Sequence, residues 1–164
     1  ALDLCSDLLE RHGGHSVAAG LTIKTENIQA FQARMNEIAL ETVGLPWPSP
    51  RLNVDMVIDL NALKAEEIPL IFNAVKALEP TGKDNPEAVF CSYDCQLTKV
   101  RTLKDGKHLK FYVRTTKNEY EAIAFQMGHL FKDLPEKVDL AYTFSENEWG
   151  GRKTIQLKVK DIRF

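Results

Sequence analysis

The sequence predicts an α+β protein, and three observations carry that expectation. Helix-like and strand-like runs alternate up to Leu78. Nine residues, Glu79-Pro80-Thr81-Gly82-Lys83-Asp84-Asn85-Pro86-Glu87, then hold two prolines, a glycine and an asparagine, too many breakers for regular structure. Beyond them nearly every periodic segment repeats with the two-residue period of a strand. Five such strands, with one short helix between the third and fourth, follow the order of an OB-type barrel, a small partly open fold that commonly binds single-stranded nucleic acid or oligosaccharide. The expected division is a small α/β subdomain over residues 1–79, a linker over 80–87 and a five-stranded OB-fold β-barrel over 88–164.

Taken in order, Leu2, Leu4, Cys5, Leu8 and Leu9 recur at helical spacing, and that helix should stop at Gly13-Gly14. Ser16 to Lys24 reads as a strand. Thr25 is a fair N-cap, with Glu26 complementing the helix dipole. Ile28, Phe31, Met35, Ile38 and Ala39 then form the apolar, core-facing stripe of a helix that should end before Gly44 and Pro46. Pro46-Trp47-Pro48-Ser49-Pro50 is a rigid connector, in which Trp47 is either a packing lid or an exposed stacking residue. Leu52, Val54, Met56 and Ile58 alternate as in a half-buried strand, Arg51 to Leu60. A helix from about Ala65 to Leu78 turns Ile68, Ile71, Phe72 and Val75 inward and tolerates Pro69 near its first turn. The barrel strands are expected at Ala88–Leu103, His108–Thr116, Tyr120–Gln126, Val138–Glu146 and Lys153–Phe164. Asp105-Gly106 signals the first hairpin, and Met127 to Leu134 the short helix.

The net charge of −2 conceals an asymmetry: residues 1–79 carry 6 Lys and Arg against 11 Asp and Glu, whereas residues 80–164 carry 15 against 12. Only the second part has the sign of a polyanion binder. No apolar run approaches the ~20 residues needed to cross a bilayer, so the expected location is cytoplasmic, without a membrane partner. Cys5, Cys91 and Cys95 match neither a disulfide framework nor a zinc motif and read as small buried hydrophobes. The opening residue, Ala1, already falls in helix-like sequence, which reads as a piece of a longer chain.

Chemistry concentrates in two places. In His12-Gly13-Gly14-His15-Ser16-Val17-Ala18-Ala19-Gly20, adjacent glycines let a ligand reach the main chain, and backbone N–H groups with an imidazole suit an anion or phosphate. A tight turn beside a solvated histidine is the competing reading. In the second barrel strand, parity sends Leu109, Phe111 and Val113 inward and His108, Lys110, Tyr112 and Arg114 outward, giving charge for phosphates and a π-face for a base. Parity likewise sends Ile155, Leu157 and Val159 inward and Gln156, Lys158 and Lys160 outward; those two lysines equally suit protection of a strand edge. Lys99 and Arg101 end the first barrel strand. Asn147-Glu148-Trp149-Gly150-Gly151-Arg152-Lys153 forms a loop with one aromatic and two cations. The acidic residues do not cluster to hold two metals, the histidines are scattered, and His129 reads as structural or solvated.

With these residues in place, the chain resembles the C-terminal part of RecJ-type single-stranded-DNA-specific exonucleases of the DHH phosphoesterase superfamily. The resemblance rests on Gly13-Gly14-His15 with Ala18-Ala19-Gly20-Leu21, on Leu78-Glu79-Pro80-Thr81-Gly82 with Asn85-Pro86-Glu87 and Phe90, and on Asp105-Gly106, His108-Leu109, Asn147, Trp149, Gly151, Gln156-Leu157 and Asp161-Ile162-Arg163. It departs from the family pattern at Thr81, Lys83-Asp84 and Ala88, which bear on the stiffness of the linker. It implies that residues 1–79 are the C-terminal portion of a DHH-associated domain and that Gly13, Gly14 and His15 bind a substrate phosphate. It further implies that the barrel grips the strand, for which the residues read above from strand parity and loop composition, Lys99, Arg101, His108, Lys110, Tyr112, Arg114, Trp149, Arg152 and Lys153, are the expected DNA contacts. The parent enzyme would hydrolyse single strands from the 5′ end in repair and recombination, with manganese or magnesium held by a DHH domain absent from this sequence; this piece alone would bind no cofactor and not cut. If the outer face of the barrel binds protein instead, a single-stranded-DNA-binding protein or a helicase is the candidate partner. Two alternatives remain: an OB-fold protein-interaction module, and part of a small-oligonucleotide phosphodiesterase or a synthetase accessory region of related make.

Overall fold

Small side chains at Ala18, Ala19 and Gly20 let one strand lie close against Gly13 and Gly14, and a hairpin results. The computed structural model describes residues 1–15 and 17–164, with the Trp149 side chain and all of Ser16 outside the described residues. Strand β1 (Leu9–His15) pairs antiparallel with β2 (Ala18–Ile23), setting Gly13 opposite Gly20 and Gly14 opposite Ala19. The helix expected to run to the glycines is a short 3-10 helix that ends at Leu8, so the glycines lie within a strand rather than at a helix stop. Close approach explains this, because a Cβ on Gly14 would fall on the Ala18 carbonyl oxygen and on Ala19.

Helix α1 (Ile28–Val43) ends at Gly44, whose φ of 74° and N–H bond to the Leu40 carbonyl supply the stop. Its N-cap position is Asn27, not Thr25, which opens a 3-10 turn instead. Asn27 donates its side-chain amide to the Leu8 carbonyl at 3.0 Å. Phe31, Met35, Ile38 and Ala39 are half-buried, while Ile28 and Trp47 are exposed. Among the described residues up to Arg51, only Cys5 is fully buried.

The backbone divides into two units, Ala1–Arg51 and Leu52–Phe164, earlier than the linker the sequence marks at 80–87. The physical reason is burial: Ile58, Leu60 and Ile68 belong to the same core as the barrel strands. The strand expected over Arg51–Leu60 shrinks to β3 (Met56–Val57), parallel to residues Phe90 and Cys91. Ile58 and Leu60 turn inward, but Leu52, Val54 and Met56 remain exposed. Helix α2 (Glu67–Lys76) buries Ile68, packs Ile71, Phe72 and Val75 on the core as expected, and carries Pro69 in its first turn. Residues 80–87 are irregular, pinned by Asn85, which donates to the Leu78 and Pro80 carbonyls, and by a Glu87–Lys160 ion pair at 2.9 Å.

The barrel strands are β4 (Phe90–Leu103), β5 (His108–Arg114), β6 (Glu119–Ala124), β7 (Lys137–Trp149) and β8 (Arg152–Arg163). They run in the order β4-β5-β6-β8-β7, with β7 returning to β4 and only β6–β8 parallel within the barrel. This closed five-stranded mixed barrel, with a 3-10 helix at Gly128–Lys132 between the third and fourth strands, is an OB fold in an α+β protein. Leu109, Phe111, Val113, Leu157 and Val159 fill the interior as parity requires. The loop expected at Asn147–Lys153 is instead a tight turn, because Gly150 and Gly151 both take positive φ, the geometry that closes a two-residue hairpin. Deep in the core, Tyr142 shares a 2.9 Å hydroxyl contact with Ser92, which donates to the Ile58 carbonyl at 2.6 Å. Burial raises the Tyr142 phenol and pushes the Cys95 thiol up to about 12, so that thiol stays neutral and inert. Cys5 is buried as well, and Cys91 half-buried. No helix among the described residues is long and apolar enough to cross a membrane.

Candidate nucleic-acid interface

Strand β5 carries Lys110, Tyr112 and Arg114 on the outside of the barrel, the first two set between interior residues and Arg114 at the strand's end after buried Val113. The register places Arg114 opposite Glu119 and Tyr112 opposite Glu121 on β6. Glu119 holds Lys99 at 2.6 Å and Arg114 at 3.2 Å; Glu121 holds Lys110 at 3.0 Å and accepts the Tyr112 hydroxyl at 3.2 Å. The hydrogen bond from Lys99, reinforced by Arg114 against the opposing effect of burial, keeps the Glu119 carboxyl below its ordinary value. Lys99 reaches this face from a bulge in β4, where it adopts a φ of 53°, and its ammonium lies 4.7 Å from the centroid of the Tyr112 ring.

The face therefore has three cations, two carboxylates and one aromatic ring. The two glutamates are the members of this face that strand parity alone passes over. Their signal is the alternation Glu119-x-Glu121 on the strand paired with Lys110-x-Tyr112-x-Arg114, which needs the hairpin register to interpret.

Other expected contacts are distributed differently. His108, expected outside, is buried: β5 begins there and the chain after β6 covers it. Its Nδ1 accepts the Gln126 N–H at 3.0 Å, and its ring meets Phe125 edge-on at 5.2 Å. Arg101 is exposed, opposite Lys110. Arg152 is exposed at the start of β8, and Lys153 bonds Glu146 at 2.7 Å. The expected stacking of Trp149 lies outside the described residues. His129 is exposed on the 3-10 helix.

In the first unit, Gly13 has open space where a side chain would stand, and His15 is exposed, its Nδ1 accepting the Val17 N–H at 3.3 Å. His12 contacts Asp3 at 2.9 Å. Open space thus lies beside Gly13 and Gly20, whereas Gly14 is packed against Ala18 and Ala19.

The RecJ OB domain family matches residues 54–161, a span that takes in β3, α2 and nearly all of the barrel. The single-stranded-DNA-specific exonuclease RecJ of Bacillus subtilis is 30% identical across 98% of this chain, and that of Thermus thermophilus is 32% identical across 99%. This chain spans 20% and 22% of the length of those two proteins. The crystal structure of RecJ in complex with Mn2+ from Thermus thermophilus superposes with a TM-score of 0.75 at 30% identity, over 99% of this chain and 23% of that one. The residues here do not fit that ion: among the described residues no group of three His, Cys, Asp or Glu side chains converges. With the barrel order and a family match over more than half of its residues, the chain belongs to the RecJ OB domain family.

Proposed function

We propose that this chain is the strand-gripping part of a RecJ-type exonuclease that degrades single-stranded DNA from its 5′ end in repair and recombination. The observation that carries the reading is the outer face of β5, where Tyr112 lies between Lys110 and Arg114 on an OB barrel. Aromatic rings that stack bases, beside cations that follow the backbone, are what a single strand requires. Similarity over almost the whole chain to two proteins named single-stranded-DNA-specific exonucleases supports the same reading.

In this reading the chain begins with the end of a DHH-associated domain, in which the Gly13-Gly14 backbone and His15 hold a substrate phosphate. The expected joint at residues 80–87 lies inside the second unit, so the DNA-binding part in this reading is the stretch from Leu52 onward, and the DHH-associated portion is confined to the residues before it. Hydrolysis belongs to a separate metal-binding DHH domain, so this chain supplies grip and orientation in a cytoplasmic enzyme. A phosphate arriving at Arg114 or Lys99 competes with the Glu119 carboxylate already there.

Salt titration of oligonucleotide binding tests the proposal. Affinity that falls linearly on a log–log plot, by ~0.7 per phosphate contact, is the expected result. Affinity for single strands that is absent, or that salt leaves unchanged, overturns it in favour of a protein-interaction module.

A further inference from the structure

In the closed order β4-β5-β6-β8-β7, strand β7 lies across the ring from β5 and β6. The outer surface of β7, with the parts of β4 and β8 beside it, therefore looks away from the face that carries Tyr112. A bulge shapes this second face. Ser92 pairs with Leu140 and Cys95 with Val138, which leaves both Tyr93 and Asp94 opposite Asp139. Two residues set against one bend the strand locally and re-aim their side chains. Asp94 takes a φ of 51°, its N–H donates to the Asp139 carboxylate at 3.2 Å, and Tyr93 is 57% exposed.

Tyr93 lines a pocket of about 200 Å³ whose apolar walls include Leu52, Val54 and Ala141. The wall made by Leu52 and Val54 is anchored at the next residue: Asp55 donates its N–H to the Val89 carbonyl and accepts the Val89 N–H on its carboxylate, both at 2.8 Å. The pocket is thus formed before any occupant arrives. Its volume suits one side chain and falls below the ~300–1,000 Å³ of sites that take small molecules. Leu52 and Val54 are exposed like Tyr93, and apolar exposure gathered at one polar-rimmed spot marks an interaction surface where single scattered residues do not.

Charge selects the occupant. The rim carries the carboxylates Asp94, Asp139 and Asp161 against the cations Lys137 and Arg163. Arg163 is held by Asp139 at 3.6 Å, whereas Asp94 and Asp161 are exposed and make no ion pair among the described residues. Such a rim repels the phosphates of DNA and the side chains of an acidic peptide. It is completed by a cation next to an apolar group.

We propose that this face docks a partner protein through a segment in which one apolar side chain fills the pocket beside Tyr93 and an adjacent Lys or Arg meets Asp94 or Asp161. The partner leaves the β5 face open, so the proposal goes beyond the single-strand reading and does not depend on it.

A random peptide library displayed on phage, selected on the 164-residue chain, tests it. Enriched peptides, resynthesised with a fluorophore, are measured by anisotropy across a salt series, with a melting curve for each protein variant. They are expected to carry an apolar residue next to Lys or Arg. Tyr93→Ala is expected to weaken their binding about 5- to 30-fold, the loss usual for a central aromatic at an interface. Asp94→Asn with Asp161→Asn weakens it as well and flattens its salt dependence; Asn accepts the left-handed backbone at position 94, so the bulge is kept. Leu70→Ala, which removes an exposed leucine of α2 outside this face, leaves binding unchanged. Where Tyr93→Ala lowers the melting temperature, the aspartate variant decides. No enrichment, enriched peptides that are acidic or lack the apolar–cationic pair, or binding that survives either the Tyr93 or the aspartate substitution overturns the proposal.

Discussion

Lys99 sets its ammonium 4.7 Å from the centre of the Tyr112 ring while the same nitrogen holds Glu119 at 2.6 Å. A base that stacks on Tyr112 from that side must move Lys99 aside. An exposed cation–π contact is worth about 0.5–1 kcal/mol, whereas base stacking on an aromatic is worth about 1–3 kcal/mol. On the proposed reading the larger stacking contribution favours the base in that exchange.

Tyr112→Ala is accordingly expected to weaken single-strand affinity by about 1–3 kcal/mol, with little preference for the base stacked. Arg114→Ala should weaken it as well and flatten the salt dependence by ~0.7, one phosphate's share. Anisotropy titrations at several salt concentrations, run beside melting curves, check both. A fall in melting temperature with affinity unchanged would assign Tyr112 to packing.

Removing the competing carboxylate has the opposite sign. Glu119→Gln leaves Lys99 and Arg114 without their shared anion, so oligonucleotide affinity should rise and the salt slope steepen by ~0.7. The same titration reads the change. Weaker binding in this variant would mean that Glu119 positions the two cations rather than competing for them.

Three carboxyl groups predict the response to acid. Lys99 holds Glu119 below its ordinary value, and Lys153 does the same for Glu146. Burial works to raise Glu87, but Lys160 outweighs it and the net shift is downward. A depressed carboxyl favours the fold above its unfolded pKa, about 4.3 for glutamate, and that contribution disappears as pH falls through the lower folded value. The melting temperature should therefore be flat down to about pH 5 and fall below it. Glu87→Gln should make the fall shallower, as a pH series of melting curves would show.

At the hairpin, His15 and Gly14 predict separable effects. In a longer chain competent for hydrolysis, His15→Ala is expected to lower turnover ~10²–10³-fold, the usual loss for one preorganised donor, with the melting temperature unchanged because His15 is exposed. Gly14→Ala should disturb the hairpin itself, since its Cβ would meet the Ala18 carbonyl. Turnover and melting curves on the two variants check the distinction, and full activity in His15→Ala returns that residue to a solvated turn.

The barrel is readable because alternation in Leu109, Phe111 and Val113, and again in Leu157 and Val159, has one physical cause, a closed interior. Asp105-Gly106 likewise marks the first hairpin by local backbone preference. Parity fails at His108, where a strand end lies beneath another segment, a tertiary fact that no local pattern carries. It also passes over Glu119 and Glu121, whose partners depend on register. The first unit is harder to read because leucines spaced as in a helix suit a 3-10 turn running into a strand, and adjacent glycines serve close approach as well as a stop. The OB order comes from strand counting, whereas the attachment of α2 to the barrel needs the buried positions of Ile58, Leu60 and Ile68.

That attachment limits how the barrel can be moved between proteins. A graft beginning at residue 88 would carry all five strands yet leave behind Ile58, Leu60 and Ile68, and it would strip Ser92 of the Ile58 carbonyl that anchors its contact with Tyr142. The unit of inheritance and of transplantation is then not the strand-only segment but the stretch from Leu52 onward, with α2 travelling as a fixed part of the barrel's wall.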